Sequence, residues 1–350
     1  MTVPARRPGL LKRFGRLFLV PLPGRQGVHV DPIHEPAPDA STWHADHTAA
    51  MNSREMEVFR DALRLDSFDV REAVLNDLAT YYKQTPEQAL DNCLRWEEWS
   101  RAEWSAADRS TREGLEGFYQ TVQSWSFDLL WYAYLQCAGH GFPASVAAAC
   151  FAHENCQGRD HLDFGSGVGV TAQLFSRLGY ATSMADISRA LLDFSKWRLA
   201  RRGDHIEQVH LVSTPLESGA YDLITAIDTL VHVPDVKATV RALHRALRPG
   251  GWLLANFDVR DPDAIQWHLH DDIARLEHDL LEAGFILRRR LADVTYCYQR
   301  VDLDDPEMRT RIVRARLLLP LARFRVLARR LRGRRLLRRW RRALFQGGRT

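Results

Sequence analysis

The sequence predicts an α/β fold: a mostly parallel sheet with helices on both faces, closed by one antiparallel hairpin strand. A helical block precedes the sheet and a basic amphipathic tail follows it. Three observations carry this prediction. From residue 160 onward, short apolar strands alternate with helical stretches of roughly 10–15 residues, a pattern that needs parallel pairing. Near the end, Phe285–Arg290 and Thr295–Val301 are too close in sequence to hold a crossover helix, so they pair antiparallel. Between residues 52 and 156, apolar residues recur at helical spacing.

Residues 1–50 form a basic arm, in which Leu10, Leu11, Phe14, Leu17 and Phe18 follow helical spacing, and then a Pro-rich loop. The helical block, residues 51–140, opens with Met56, Phe59 and Leu63 on one face, then Val74, Leu78 and Tyr81 on another. Thr85-Pro86-Glu87 is an N-cap, a helix-starting proline and an early acid, which predicts a helix running to about Ala106. A long helix starts at Ser110 or Thr111 and carries Phe118, Val122, Trp125, Leu129 and Tyr132 along one face. An Ala-rich helix spans about Ala144 to Asn155.

The sheet domain, residues 141–305, begins with a strand at His161–Phe164, a glycine turn and a helix over Thr171–Leu178. A strand at Tyr180–Ala185, a helix from Ser188 to Arg201, and strands at Val209–Val212 and Leu223–Ile227 follow. The helix from Val236 to Leu247 stops at Arg248-Pro249-Gly250-Gly251, ahead of a strand at Trp252–Asn256. A further helix over Asp272–Glu282 ends at Gly284 and leads into the hairpin.

Hydrophobic residues make up 45% and charged ones 26% of the 350 residues, ordinary values for a globular protein. The apolar stretch Leu17–Pro21 is too brief for a signal-peptide core, and no run reaches the ~20 apolar residues of a membrane span. Five scattered cysteines do not make a disulfide framework. Together these point to the cytoplasm. The net charge of +4 conceals two basic ends: residues 309–349 hold 16 arginines, and residues 1–30 six basic groups, with no acid in either. All 44 acids lie in the body between, against 26 basic residues. Basic ends of this kind contact an anionic surface or the acidic body itself.

The central motif is Asp163-Phe164-Gly165-Ser166-Gly167-Val168-Gly169, between a strand and a helix. Glycines allow the tight turn and close ligand approach, and the helix beyond offers free N–H groups. A dinucleotide site would read G-x-G-x-x-G/A. Here the third glycine comes one residue early and an acid precedes the run. That suits S-adenosylmethionine, with Asp163 toward its ammonium and the turn amides toward its carboxylate. Asp186, at the end of the second strand, suits a pair of ribose hydroxyls, and Thr214-Pro215-Leu216 is expected to flank the adenine.

These residues, with Tyr221-Asp222-Leu223-Ile224, Asp228 to Asp235 and Leu247-Arg248-Pro249-Gly250-Gly251, resemble the class I S-adenosylmethionine-dependent methyltransferases. They are most similar to the branch containing ubiquinone and menaquinone biosynthetic enzymes and natural-product methyltransferases. The resemblance covers about 158–300. It implies a Rossmann-like methyltransferase sheet and a cofactor held by Asp163, Phe164, Gly165, Ser166, Gly167, Gly169, Asp186, Ile187, Thr214, Leu216 and Asp228. The chain departs from the family pattern at Val231, where an acid often stands, and at Ser213 and Thr214, where another often lies near the adenine.

The implied reaction is methyl transfer to a small-molecule, lipophilic acceptor at O, N or C. A base is needed where the acceptor arrives protonated. His232 is the first candidate for that base or for orienting the substrate, with a local cap or packing role the alternative; His268 and His270, with Trp267 beside them, come next. The aromatic run Trp125, Phe127, Trp131, Tyr132, Tyr134 fits a lid as well as a core. Cys137, His140, Cys150, His153 and Cys156 have short spacings, but they read as buried thiols and a helix histidine, and no metal is expected. In residues 309–345, Leu317, Leu321, Phe324, Leu327, Leu331, Leu337, Trp340 and Leu344 alternate with arginines, as on an interfacial helix at an anionic membrane. Nucleic acid is the less favoured partner. Two other functions stay open: a non-catalytic S-adenosylmethionine-binding partner protein, and an RNA methyltransferase using the tail.

Overall fold

The computed structural model describes residues 40–315, apart from 67, 109, 212–213, 258–266 and 271–272. Most of the basic arm and all of the tail beyond 315 lie outside the described residues, as does most of the expected interfacial helix.

The helical block comprises α1 (Ala40–Met51), α2 (Arg54–Leu63), α3 (Val70–Tyr81), α4 (Pro86–Leu94), α5 (Trp96–Ala106), α6 (Arg112–Thr121) and α7 (Ser124–Cys137), and α8 (Ala144–Asn155) leads into the sheet. The caps explain several starts. Ser53, Asp69 and Thr111 each accept from a backbone N–H in the first turn, and Thr85 with Gln88 forms a reciprocal capping box ahead of Pro86.

Two expected helices are broken. The one starting at Thr85 stops at Leu94 and restarts at Trp96, with Arg95 as the joint at φ −117°. The reason is burial: Ala89 and Cys93 belong to the main core, whereas Trp96 and Trp104 belong to a separate aromatic cluster. One straight helix cannot face both. The helix from Thr111 breaks at Val122 for the same reason. Phe118 and Tyr119 join the aromatic cluster, and Phe127, Leu130 and Ala133 of α7 join the main core. The start of α7 is capped from a distance, by the Glu103 carboxylate accepting from the N–H of Gln123 and the N–H and hydroxyl of Ser124.

The sheet domain contains β1 (Asp160–Phe164), α9 (Val170–Arg177), β2 (Ala181–Asp186), α10 (Arg189–Ala200), β3 (Glu207–His210), β4 (Tyr221–Ala226), α11 (Val236–Ala246), β5 (Leu247–Asn256), α12 (Ile273–Ala283), β6 (Phe285–Leu291) and β7 (Thr295–Arg300). The seven strands run in the order β3-β2-β1-β4-β5-β7-β6. Strands β1 to β5 pair in parallel, and β7 is antiparallel to both β5 and β6. The three-residue β6–β7 loop, 292–294, places Ala292 and Asp293 at positive φ, as a tight hairpin turn requires. Three strands differ from expectation by two residues or more. Strand β4 starts at Tyr221 instead of Leu223. Strand β3 lies two residues earlier, and β5 begins at Leu247, which pairs with Tyr221 ahead of a bulge.

The main core runs without interruption from α2, α3, α7 and α8 to Leu174 and Phe175 of α9 and to Leu223, Leu254 and Cys297 of the sheet. The helical block and the sheet thus share one apolar interior on this face. A second core on the opposite face packs α11 and α12 against β4 to β7.

Candidate functional site

The glycine turn follows β1 at its carboxyl end, where open parallel sheets take their ligands. The N–H groups of Gly165 and Ser166 both donate to the Ala185 carbonyl, at 2.7 and 3.1 Å, and that of Gly169 to Ser166 at 2.8 Å. Gly165, Gly167 and Gly169 all have positive φ, of 72°, 52° and 75°. At two of them space matters as well: a Cβ on Gly165 would run into the Thr229 side chain, and one on Gly167 would lie 2.7 Å from Leu129 Cδ1. Helix α7 therefore rests directly on the turn.

Asp163 is buried, and both its oxygens are engaged. Oδ2 accepts from the Ala172 N–H at 3.0 Å, and Oδ1 from the Thr225 hydroxyl at 2.8 Å. Thr225 in turn meets His161 Nε2 at 3.0 Å. Burial pushes the Asp163 carboxyl up to about 7, against the lowering effect of these bonds, and pulls the enclosed His161 ring down to about 3. In this structure Asp163 ties the start of α9 to β4.

Asp186 ties the turn to β2. Its Oδ2 accepts from the Gly167 N–H at 2.8 Å and Oδ1 from the Ser188 N–H at 2.7 Å. Burial raises its pKa while those bonds oppose the rise. Four lone pairs on a carboxylate leave room for further donors such as hydroxyls. Phe164 is buried behind the turn, and Ile187 packs on the aromatic cluster. Ser166 Oγ is buried with no hydrogen-bond partner among the described residues. A turn of three left-handed glycines, an orphaned hydroxyl and an acid at the second strand fit the amino-acid and ribose parts of S-adenosylmethionine.

Thr214 is exposed, its N–H held by the His210 carbonyl at 3.0 Å, and Leu216 lies half-buried against the second core. Asp228, at φ 52°, forms a reciprocal pair with Asn256 at the end of β5: the Asp228 N–H donates to Asn256 Oδ1, and Asn256 Nδ2 to Asp228 Oδ1 at 2.7 Å.

His232 ends a short 3₁₀ turn, Leu230–His232, after β4. Its Nδ1 lies 3.0 Å from the Trp267 carbonyl, which can only accept, so the neutral ring carries its proton there and its lone pair on Nε2. The ring stands 5.3 Å from Trp125, 6.2 Å from Tyr119 and 4.8 Å from His268, edge-on to the last. The Tyr119 hydroxyl donates to the same Trp267 carbonyl at 3.0 Å. The Leu269 N–H donates to Val231, and His270 Nε2 to the Val233 carbonyl. The chain after β5 is thereby strapped onto the turn after β4, under helices α5 and α6. His232, His268, Trp267 and Trp125 come together. Trp131 and Tyr134 instead pack on each other at a 45° tilt in the main core.

Sequence reasoning missed Tyr119, Asn256, Leu129 and Arg198. Only Arg198 left a readable signal: it shares the face of α10 with the apolar Leu191 and Phe194, where a cation is out of place. The cysteine–histidine spacings do not converge. Among the described residues no group of three or more His, Cys, Asp or Glu could hold a metal ion.

Residues 143–295 match a family described as "Methyltransferase domain". A ubiquinone biosynthesis O-methyltransferase of Nitrosospira multiformis is 30% identical over 116 residues, spanning 31% of this chain and 47% of that protein. Its counterpart in Bordetella avium is 30% identical over 110 residues, spanning 30% and 45%. The chain spans about half the length of these relatives. Among solved structures it is similar to an S-adenosylmethionine-dependent methyltransferase from Mesorhizobium loti, at 18% identity and TM-score 0.35, covering 45% of this chain and 99% of that one. It is also similar to phosphoethanolamine N-methyltransferase 2 of Haemonchus contortus, at 21% identity and TM-score 0.36, covering 42% and 38%.

Proposed function

The segment 143–295 belongs to the class I S-adenosylmethionine-dependent methyltransferases, and from that premise we propose that the chain methylates an acidic hydroxyl on an apolar small molecule held beside His232. The observation that carries this reading is the bond from His232 Nδ1 to the Trp267 carbonyl, which fixes the orientation and tautomer of the ring beside Trp125 and Tyr119. A hydroxyl must lose its proton to become a good nucleophile, whereas a free amine need not. That favours oxygen, as do the names of the relatives above.

Bound S-adenosylmethionine supplies a methyl group on a sulfonium, whose thioether leaves neutral and needs no acid. The protein's own work is holding and orienting. The glycine turn and Ser166 take the amino-acid end, Asp186 the ribose hydroxyls, and Ile187, Thr214 and Leu216 flank the base. His232 accepts the acceptor's proton, and Trp125 and Tyr119 exclude water from its ring. Asp228 and Asn256 fix the loops on either side of the acceptor. We place the protein in the cytoplasm, with its Arg-rich tail against an anionic membrane where a lipophilic acceptor would partition.

The test pairs calorimetry with a methyl-transfer screen over apolar phenols. S-adenosylhomocysteine should bind, and His232→Asn should lower kcat by about 10²–10⁴-fold with cofactor affinity unchanged. Retention of a nicotinamide nucleotide in place of S-adenosylhomocysteine would overturn the reading. Full activity in His232→Asn would remove the base from it.

A further inference from the structure

Arg198 is fully buried on the inner face of α10, in a row with Leu191, Phe194 and Ser195. Its guanidinium closes on the glycine turn: Nε and Nη2 both donate to the Val168 carbonyl, at 3.3 and 3.2 Å, and Nη1 donates to Gln173 Oε1 on α9 at 2.8 Å. None of these three bonds goes to a carboxylate. The acids that balance the charge act from further away. Asp77 of α3 pairs with Arg201 at 2.6 Å and Arg202 at 2.7 Å, and Asp204 accepts from Gln173 Nε2 and pairs with Arg177.

Taking a guanidinium out of water costs several kcal/mol even after relaxation. A residue that only filled space here would be a leucine, like those around it. What the cation holds is informative. The Val168–Gly169 peptide is fixed at both ends, its carbonyl by Arg198 and its N–H by Ser166. Gly169, the last residue before α9, is thereby held in its left-handed conformation. The neighbouring Gly167 N–H is held by Asp186. The turn is thus shaped from two sides, by the Asp186 carboxylate at Gly167 and by the Arg198 guanidinium at Val168.

We infer that Arg198 is a positioning residue for the amino-acid end of the cofactor. It locks the Val168–Gly169 peptide so that the turn and the start of α9, where the Ala172 N–H is already tied to Asp163, keep the shape that receives the amino-acid end, and its positive charge favours a carboxylate there. This rests on the proposed reading that the turn receives S-adenosylmethionine.

Two ligands separate a positioning role from a structural one. S-adenosylhomocysteine carries the amino-acid end; 5′-methylthioadenosine keeps the adenine, ribose and thioether but lacks it. Titration calorimetry on the full chain should show S-adenosylhomocysteine weakened at least tenfold by Arg198→Gln and less by Arg198→Lys, which keeps the charge but loses the fork. The affinity for 5′-methylthioadenosine should change less than twofold in both, so the ratio between the ligands collapses. Thermal melts identify the variants that are folded, and Arg198→Lys serves alone where Arg198→Gln is not. Parallel weakening of both ligands, or no change in either, overturns the inference and leaves the cofactor reading intact. A wild type that ignores both ligands overturns the cofactor reading and the inference with it.

Discussion

At the residue scale, three side chains across β1 and β4 make a chain whose charge state is set by burial. His161, Thr225 and Asp163 are all enclosed; while Asp163 is ionised, Thr225 donates its only proton to it, and His161 Nε2 is then the donor toward Thr225. The two titrating ends oppose each other. Asp163 has a folded pKa near 7 against 3.8 unfolded, so it contributes stability that is complete below about 3.8 and lost as pH rises through about 7. His161 has a folded pKa near 3 against 6.5, so its contribution is complete above 6.5 and lost as pH falls toward 3. Wild-type melts alone would partly cancel the two. The difference between wild type and Asp163→Asn isolates the acid: wild type should gain about 2 kcal/mol on the variant at pH 5 relative to pH 8. Denaturant titrations at the two pH values check this. An unchanged difference would mean that Asp163 is already ionised in the folded protein at pH 5.

At the scale of elements, what the sequence made legible was whatever the local backbone demanded. The strand–glycine–helix order at Asp163–Gly169 is readable because left-handed conformations and close approach need glycine in place. The hairpin at the end of the sheet is readable because its connection is short. The helix breaks at Arg95 and Val122 are not, since neither carries a Pro or Gly and the cap of α7 comes from Glu103, about twenty residues earlier in the chain. Tyr119 and Asn256 act through a carbonyl and a loop amide brought near only by the fold. The docking of α3 on α10 is equally non-local. Asp77, wholly buried, receives Arg201 and Arg202, and Arg202 also donates to the carbonyls of Leu63 and Arg64 at the end of α2. Removing one partner of such a set strands buried charge. Asp77→Ala should therefore destabilise the protein by about 3–5 kcal/mol, whereas the exposed pair broken in Arg64→Ala, Arg64 with Asp61, should cost under about 1 kcal/mol. Equal losses in chemical denaturation would show that Asp77 is solvated in the folded state.

At the scale of the whole molecule, charge is the dominant asymmetry. The described start of the C-terminal segment is docked: Met308 and Ala315 are buried against Leu281 and Ile286, Arg309 pairs with Asp304, and Arg311 pairs with Glu307. Those pairs use the last acids of the chain. Beyond residue 315 the sequence holds 13 arginines and no acid. Among the described residues no helix is long and apolar enough to cross a membrane. Attachment would then rest on the arginines and the apolar residues between them, each basic group near an anionic surface contributing about 1 kcal/mol at low salt. The acidic body is the competing partner, and salt alone does not tell the two apart because it screens both within about 10 Å. Lipid composition does. In flotation assays the full chain should bind vesicles of 30 mol% phosphatidylserine, bind phosphatidylcholine vesicles at least tenfold more weakly, and be released by 0.5 M salt, with a chain ending at residue 315 binding neither. Equal binding by that shorter chain would take the membrane contact away from the arginines, and no binding to either vesicle would leave the acidic body as their partner.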